Sequence, residues 1–162
     1  MPFGGIDSGS ISTGAVVMSE EEIISYVVVP TGASNRKAAK RAWREALEKA
    51  GSKKADYVVA TGYGRDGVDF AGSTVTEITC HARGAYYLFP DVRTVIDIGG
   101  QDSKIIRVNG SGRTEDFAMN DKCAAGTGRF LEVMAKALEV RLEDMGPLSL
   151  ESTEIPTALE FL

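Results

Sequence analysis

The order of hydrophobic and polar positions at the start of the chain predicts three strands joined by tight turns. Short runs rich in apolar, glycine or β-branched residues cover residues 3–6, 15–18 and 23–29, and polar residues separate them. Pro30 and Gly32 end this stretch. We therefore predict an N-terminal β-meander.

The apolar spacing then changes to that of a helix over residues 36–50. Ser34 or Asn35 is the expected N-cap and Gly51 the C-cap. One face of this helix is apolar, with Ala39, Ala42, Trp43, Ala46 and Leu47. The later pattern predicts strands over residues 56–60, 94–98, 104–108 and 114–119, and helices over 76–88 and 128–138. The whole is a mixed α/β chain.

A short motif occurs twice, at corresponding places in this pattern. Residues 6–10 read Ile-Asp-Ser-Gly-Ser and residues 96–100 read Ile-Asp-Ile-Gly-Gly. Each copy ends a strand and begins a meander followed by a helix. We therefore predict two related, facing domains, residues 1–92 and the start of a second over 93–150, with residues 151–162 unassigned.

Composition narrows the function classes. The chain has 162 residues, 43% of them hydrophobic, and a net charge of −5 without a basic tract, which argues against a nucleic-acid partner. No apolar run approaches the roughly 20 residues that span a bilayer, and the first residues do not form a secretory signal. With only two cysteines, no disulfide scaffold is expected, so we predict a cytoplasmic protein without a membrane partner.

The repeated turns carry candidate phosphate chemistry. An aspartate at a strand end, such as Asp7 or Asp97, can hold a hydrated Mg²⁺, and the glycines that follow let backbone N–H groups approach phosphate oxygens. A single turn of this kind is more simply a hairpin with a local side-chain hydrogen bond. For the pair we favour a polyphosphate site.

Five segments together resemble a known family. They are residues 5–10 (Gly-Ile-Asp-Ser-Gly-Ser), 60–65 (Ala-Thr-Gly-Tyr-Gly-Arg), 77–82 (Glu-Ile-Thr-Cys-His-Ala), 95–104 (Val-Ile-Asp-Ile-Gly-Gly-Gln-Asp-Ser-Lys) and 119–131 (Met-Asn-Asp-Lys-Cys-Ala-Ala-Gly-Thr-Gly-Arg-Phe-Leu). The chain resembles, over about residues 4–150, the ATP-hydrolysing activators of 2-hydroxyacyl-CoA dehydratases. Their relatives are the ATPase subunits of benzoyl-CoA reductase.

The resemblance implies a fold and a nucleotide site. The fold would be the actin-like ATPase fold, which is ribonuclease H-like and is shared by acetate and sugar kinases, heat-shock chaperones and actin. ATP or ADP would bind at two turns, with Mg²⁺ held through water by Asp7 and Asp97. The implied nucleotide-binding residues are Asp7, Gly9, Ser10, Ser12, Asp97, Gly99, Gly100 and Lys104. Gln101 and Asp102 would be catalytic, near the γ-phosphate and its water.

The resemblance also implies an iron–sulfur function. Cys123 would ligate a [4Fe–4S] cluster that bridges a homodimer, and ATP hydrolysis would drive one-electron transfer to a 2-hydroxyacyl-CoA dehydratase. Ferredoxin or flavodoxin would supply the electron. The place of Cys123 before a helix N-terminus, where free N–H groups stabilise a thiolate, is consistent with this role. Cys80 and His81 are better explained as a core cysteine and a locally hydrogen-bonded histidine.

This chain departs from the family in three respects. The lysine expected after the first turn is replaced by Gly14, and the second cluster cysteine expected about 40 residues after Cys123 is absent. The adenosine-binding part is missing, so we expect impaired activity and exposed apolar surface on the second domain. Three alternatives stay open: a sugar or acetate kinase, a benzoyl-CoA reductase ATPase subunit, and an inactive nucleotide-binding fragment.

Overall fold

A five-stranded sheet forms the first half of the molecule. The computed structural model describes residues 2–20 and 22–153. The strand order is β3-β2-β1-β4-β5, with β1, β2 and β3 antiparallel and β4 and β5 running parallel to β1. The predicted meander is confirmed, and the strands are β1 (Phe3–Ser8), β2 (Ser12–Met18), β3 (Ile23–Pro30), β4 (Tyr57–Thr61) and β5 (Ser73–Thr74).

Helix α1 (Asn35–Lys49) covers one face of this sheet. The Ser34 hydroxyl accepts a hydrogen bond from the Lys37 N–H, and Gly51 ends the helix with a φ of +63°. The predicted N-cap Ser34 is confirmed, whereas the C-cap is Ala50 and Gly51 is the left-handed residue that follows it. The buried side of α1 is built from small side chains, which let it lie close to the sheet: Ala38, Ala39, Ala42 and Ala46.

A three-stranded antiparallel sheet forms the second half. Its strands lie in sequence order, β6 (Thr94–Ile98), β7 (Ser103–Val108) and β8 (Thr114–Asn120), as the pattern predicts. Helix α2 (Glu77–Leu88) packs on this sheet, where Ala82 is buried against Ile106 and Val108. Although α2 falls within the predicted first domain, residues 1–92, it packs on the second sheet, because periodicity shows which face of a helix is apolar but not which sheet covers it.

Two further helices follow the second sheet. Helix α3 (Gly128–Ala137) is the predicted one, and the short helix α4 (Met145–Leu150) was not anticipated. Six residues are too few to establish a helical period, and the same holds for the two-residue strand β5. Of the unassigned tail, residues 154–162 lie outside the described part of the chain.

The sheet surfaces away from these helices remain apolar and open. Ile96 and Ile98 of β6 are 70% and 58% exposed, and Tyr26 of β3 is 70% exposed. The predicted exposed apolar surface on the second sheet is thus confirmed, and the first sheet shows the same feature. Among the described residues, no helix combines the length and the apolar character that crossing a bilayer requires.

Candidate functional site: a cleft lined by two glycine turns

The two repeated turns meet at one cleft with a volume of about 260 Å³. This is close to the lower end of the range of about 300–1,000 Å³ that is usual for small-molecule sites. Of the residues that the sequence analysis selected, those lining the cleft are Asp7, Gly9, Ser10, Ser12, Asp97, Gly99, Gly100, Asp102 and Lys104.

The first turn, between β1 and β2, is held in place by hydrogen bonds from neighbouring segments. The Gly9 carbonyl accepts hydrogen bonds from the Thr31 hydroxyl at 2.9 Å and from the Asn35 side-chain amide at 3.4 Å. The Ser8 carbonyl accepts a bond from the Gly64 N–H at 2.8 Å. The turn is therefore fixed before any ligand arrives, which lowers the ordering cost of binding.

The second turn, between β6 and β7, lies against the first. The Ile11 side chain lies where a Cβ atom at residue 100 would sit, so a larger residue there would displace Ile11. A Cβ atom at residue 99 would likewise meet the Asp102 carboxylate. The glycines of this motif thus serve close packing between the turns and leave the backbone accessible from the cleft.

Asp7 lies at the end of β1 and opens onto the cleft. Burial by the surrounding atoms raises the pKa of its carboxyl group above the ordinary value of 3.8. The nearby carboxylates of Glu77 and Asp97 raise the pKa further, while His81 and Lys104 oppose this effect. The site therefore concentrates negative charge, which a divalent cation would relieve.

Lys104 is the centre of the charge network on the other side of the cleft. Its side chain is only 3% exposed, and its Nζ lies 2.7 Å from Asp102 Oδ1, 2.9 Å from Glu77 Oε1 and 3.2 Å from Asp97 Oδ2. Desolvation alone would lower the pKa of the ammonium group, but the hydrogen bonds with Asp102 and Glu77 outweigh it and raise the pKa. Lys104 is therefore a buried, fully charged cation.

Helix α2 contributes two residues to the cleft, and the sequence analysis gave neither of them a role there. Glu77 contacts Lys104, and His81 Nδ1 lies 3.3 Å from Asp97 Oδ2. The two residues are four positions apart and therefore share one helical face. That spacing was readable in the segment 77–82, but nothing in the sequence showed that this face is turned toward the second turn.

Two selected residues lie outside the lining of the cleft. Gln101 is exposed on the second turn, and its proposed catalytic role remains a prediction. Cys123 is exposed in the loop before α3, where the Asn120 side chain accepts a bond from its N–H and donates one to its carbonyl.

The N-terminus of α3 is occupied by the second turn. The N–H groups of Gly128 and Arg129 donate to the carbonyls of Gly99 at 2.8 Å and Gly100 at 3.2 Å. The sequence analysis expected these N–H groups to face the Cys123 thiolate. They instead join the helix directly to the candidate phosphate turn.

The donor groups that the chain provides can be compared with those that Mg²⁺ and an iron–sulfur cluster require. Within the described residues no group of three or more carboxylate, histidine or cysteine side chains is arranged to hold a metal ion. Asp7 and Asp97 nevertheless face the same cleft. Mg²⁺ commonly takes one or two carboxylates together with water and phosphate oxygens, so this pair fits that mode of binding.

For a four-iron cluster, which needs four ligands, the chain offers one exposed cysteine, Cys123, and the half-buried Cys80 on α2. These residues alone do not complete a cluster site.

Known proteins resemble the chain closely. An activator of lactoyl-CoA dehydratase from Anaerotignum propionicum is 49% identical over 153 residues, which are 93% of this chain and 59% of that protein. The crystal structure of the (R)-2-hydroxyglutaryl-CoA dehydratase component A from Acidaminococcus fermentans matches with a TM-score of 0.91 and 42% identity, covering 97% of this chain and 61% of that chain. An activator of the 2-hydroxyisocaproyl-CoA dehydratase from Clostridium difficile, with bound ADPNP, matches with a TM-score of 0.88 and 40% identity, covering 97% and 59%.

The chain spans about three fifths of the length of these relatives. The sequence profile of the BadF/BadG/BcrA/BcrD ATPase family matches residues 5–160. The predicted fold is confirmed: it is the actin-like ATPase fold. On this evidence the chain belongs to the BadF/BadG/BcrA/BcrD ATPase family.

Proposed function

We propose that the chain is the nucleotide-binding part of an ATP-hydrolysing activator of a 2-hydroxyacyl-CoA dehydratase. The observation that carries this proposal is the cleft where two Asp-and-glycine turns from different sheets meet. Support comes from the relatives, several of which are named as dehydratase activators, and from the ADPNP bound in one of them.

In this proposal the polyphosphate of ATP lies between the turns. Backbone N–H groups of Gly9, Gly99 and Gly100 face the phosphate oxygens, and Ser10 and Ser12 supply hydroxyl donors from the first turn. Asp7 and Asp97 hold Mg²⁺, in part through water, and the cation offsets the charge of carboxylates and phosphates together.

Hydrolysis needs a water positioned in line with the γ-phosphate. Asp102 lies on the cleft wall and Gln101 next to it on the same turn. A glutamine can orient a water without being a strong base, which suits slow, gated hydrolysis. We assign these two residues to the water, as the catalytic pair.

The redox part of the proposal concerns the whole protein. A [4Fe–4S] cluster bound at Cys123 would supply one-electron chemistry, with the remaining ligands coming from a second subunit and from outside this chain. The assembly would be a cytoplasmic homodimer that accepts an electron from ferredoxin or flavodoxin and docks on its dehydratase. Because Gly128 and Arg129 join α3 to the second turn, the segment after Cys123 is suitably placed to respond to the nucleotide.

Nucleotide binding is tested by calorimetry with MgADP. We expect wild type to bind, and Asp97→Asn to weaken MgADP binding at least about tenfold, as removal of a charged contact does. Asp91→Asn is the matched control, because Asp91 is exposed and precedes β6 at the end away from the cleft. Failure of wild type to bind MgADP at millimolar concentration would overturn the proposal.

Cluster binding is tested separately by anaerobic reconstitution with iron and sulfide. After reduction with dithionite, electron paramagnetic resonance spectra of wild type, Cys123→Ala and Cys80→Ala should show a signal that depends on Cys123 alone. A second candidate function, a nucleotide-binding chain without redox activity, is favoured by the single exposed cysteine. MgADP binding with no cluster signal in any variant would select that candidate.

A further inference from the structure

A contact between the Lys104 ammonium group and a nucleotide does not explain the position of this side chain. Its side chain continues the buried stripe of Ile106 and Val108 beneath α2, and it pairs across the strands with Asp97. The ammonium group donates hydrogen bonds to Asp102 and Asp97, and Glu77 Oε1 forms an ion pair with it at 2.9 Å. Three carboxylates of the protein itself thus surround this cation and balance its charge.

The three carboxylates come from three separate places in the chain. Glu77 lies in the first turn of α2, Asp97 at the end of β6 and Asp102 in the second glycine turn. Lys104 on β7 therefore connects the helix, the strand end and the turn at one point. His81, on the same helical face as Glu77, places its Nδ1 3.3 Å from Asp97 Oδ2 without forming a hydrogen bond.

We propose that Lys104 is a positioning residue: its ammonium group offsets the crowded carboxylates, Glu77 among them, and so keeps Asp97 and Asp102 at the wall of the cleft without binding the nucleotide. This inference rests on the proposed function, since it concerns how the same cleft is prepared for Mg²⁺ and phosphate. Glu77 is the third carboxylate that pairs with the Lys104 ammonium group, and it belongs to neither glycine turn.

Charge balance supports this assignment. Without the ammonium group, three carboxylates would face one another in a partly buried site, where like charges at short range repel strongly. They would take up protons or move apart, and Asp97 and Asp102 would leave their places at the cleft. Removal of Glu77 together with Lys104 takes away one negative charge along with the positive one, so the local charge is again the same as in wild type.

A rescue experiment separates positioning from direct phosphate contact. MgADP affinity is measured by calorimetry for wild type, Lys104→Met, Glu77→Gln and the double variant, with the exposed Lys53→Met as control. If Lys104 acts by positioning, Lys104→Met weakens binding at least about tenfold, and the double variant binds more than about fivefold tighter than the two single effects together predict, a coupling in the range for contacting residues. If the double variant binds no better than Lys104→Met, the positioning role is overturned.

The stability of the same variants gives a second, ligand-free measurement. Urea unfolding should show that the two substitutions are non-additive, with the double variant less destabilised than Lys104→Met; additive effects would overturn the proposal. If Lys104→Met does not fold, Lys104→Gln, which also removes the positive charge, and its combination with Glu77→Gln replace it in both measurements. Failure of wild type to bind MgADP would overturn the proposed function itself, which is a different result from binding without rescue.

Discussion

Asp7 carries its carboxylate in a place that disfavours negative charge. Burial is the largest cause, and Glu77 and Asp97 across the cleft add to it. A carboxyl whose pKa is raised on folding stabilises the folded state at a pH below its unfolded pKa, and this contribution is lost as the pH rises through the folded pKa. At neutral pH the ionised Asp7 therefore costs stability, as expected where a site is built to receive a cation.

The first prediction follows from the upward shift of the Asp7 pKa. Asp7→Asn should be more stable than wild type at pH 7, and the difference should shrink toward pH 4, because the neutral amide does not ionise. Urea unfolding at both pH values measures it, and MgADP binding by the variant should be lost at the same time. Asp91→Asn should change neither quantity; an Asp7→Asn protein that is less stable than wild type at pH 7 would contradict the argument.

Gly62 next to the first turn provides a second test at the scale of one residue. Its φ of +86° is a conformation that favours glycine, and a Cβ atom would collide with the Asp7 carboxylate and the Ser8 backbone. We expect Gly62→Ala to lower the free energy of unfolding by roughly 2–4 kcal/mol, combining the left-handed cost with overpacking.

Gly51 is the matched control for this substitution. It has a similar φ of +63°, but no heavy atom lies within 4 Å of a Cβ at this position. Gly51→Ala should therefore cost only about 1–2 kcal/mol. Equal losses of unfolding free energy in the two variants would show that crowding around Asp7 is not tight.

At the scale of elements, the joint between α3 and the second glycine turn is the most informative contact. The first N–H groups of a helix ordinarily have no partner within it. Here Gly128 and Arg129 donate to Gly99 and Gly100, so the helix that follows Cys123 cannot move independently of the turn without breaking these bonds.

This joint predicts a pattern of amide hydrogen exchange. The amides of Gly128 and Arg129 should exchange more slowly than that of Arg36 in the first turn of α1, and addition of MgADP should change their rates more than that of Arg36. Exchange resolved by nuclear magnetic resonance measures both effects. If Gly128 exchanges as fast as Arg36 and does not respond to MgADP, the two elements are not coupled.

At the scale of elements, the sequence predicts most strands and helices but not the contacts between them. Strands β1 to β3 and β6 to β8, with helices α1 to α3, were predictable because their periodicity is local and long enough to read. The carboxylates of Asp7 and Asp97 could be selected because the motif is repeated. Glu77 and the engagement of Lys104 were missed, since both depend on which sheet α2 packs against, and that is a property of tertiary contacts.

At the scale of the whole molecule, each of the two sheets has one apolar face that no element within residues 2–20 and 22–153 covers. On the second sheet Ile96 and Ile105 are cross-strand partners, 70% and 53% exposed. Contiguous apolar surface of this kind promotes association in water. We therefore expect the 162-residue polypeptide to self-associate through these faces.

The test is a pair of substitutions that keeps the strands intact. Ile96→Thr with Ile105→Thr retains β-branched side chains, which suit strands, while making the shared patch polar. We expect this double variant to sediment closer to the monomer than wild type and to bind less of a hydrophobic dye, with its far-ultraviolet circular dichroism unchanged. Val133→Thr with Leu138→Thr, in and just after α3 at 50% and 65% exposure, removes similar apolar area away from the sheets and should leave sedimentation as in wild type. If both double variants reduce association equally, the effect reflects total surface hydrophobicity, and the open face of the second sheet has no special part in it.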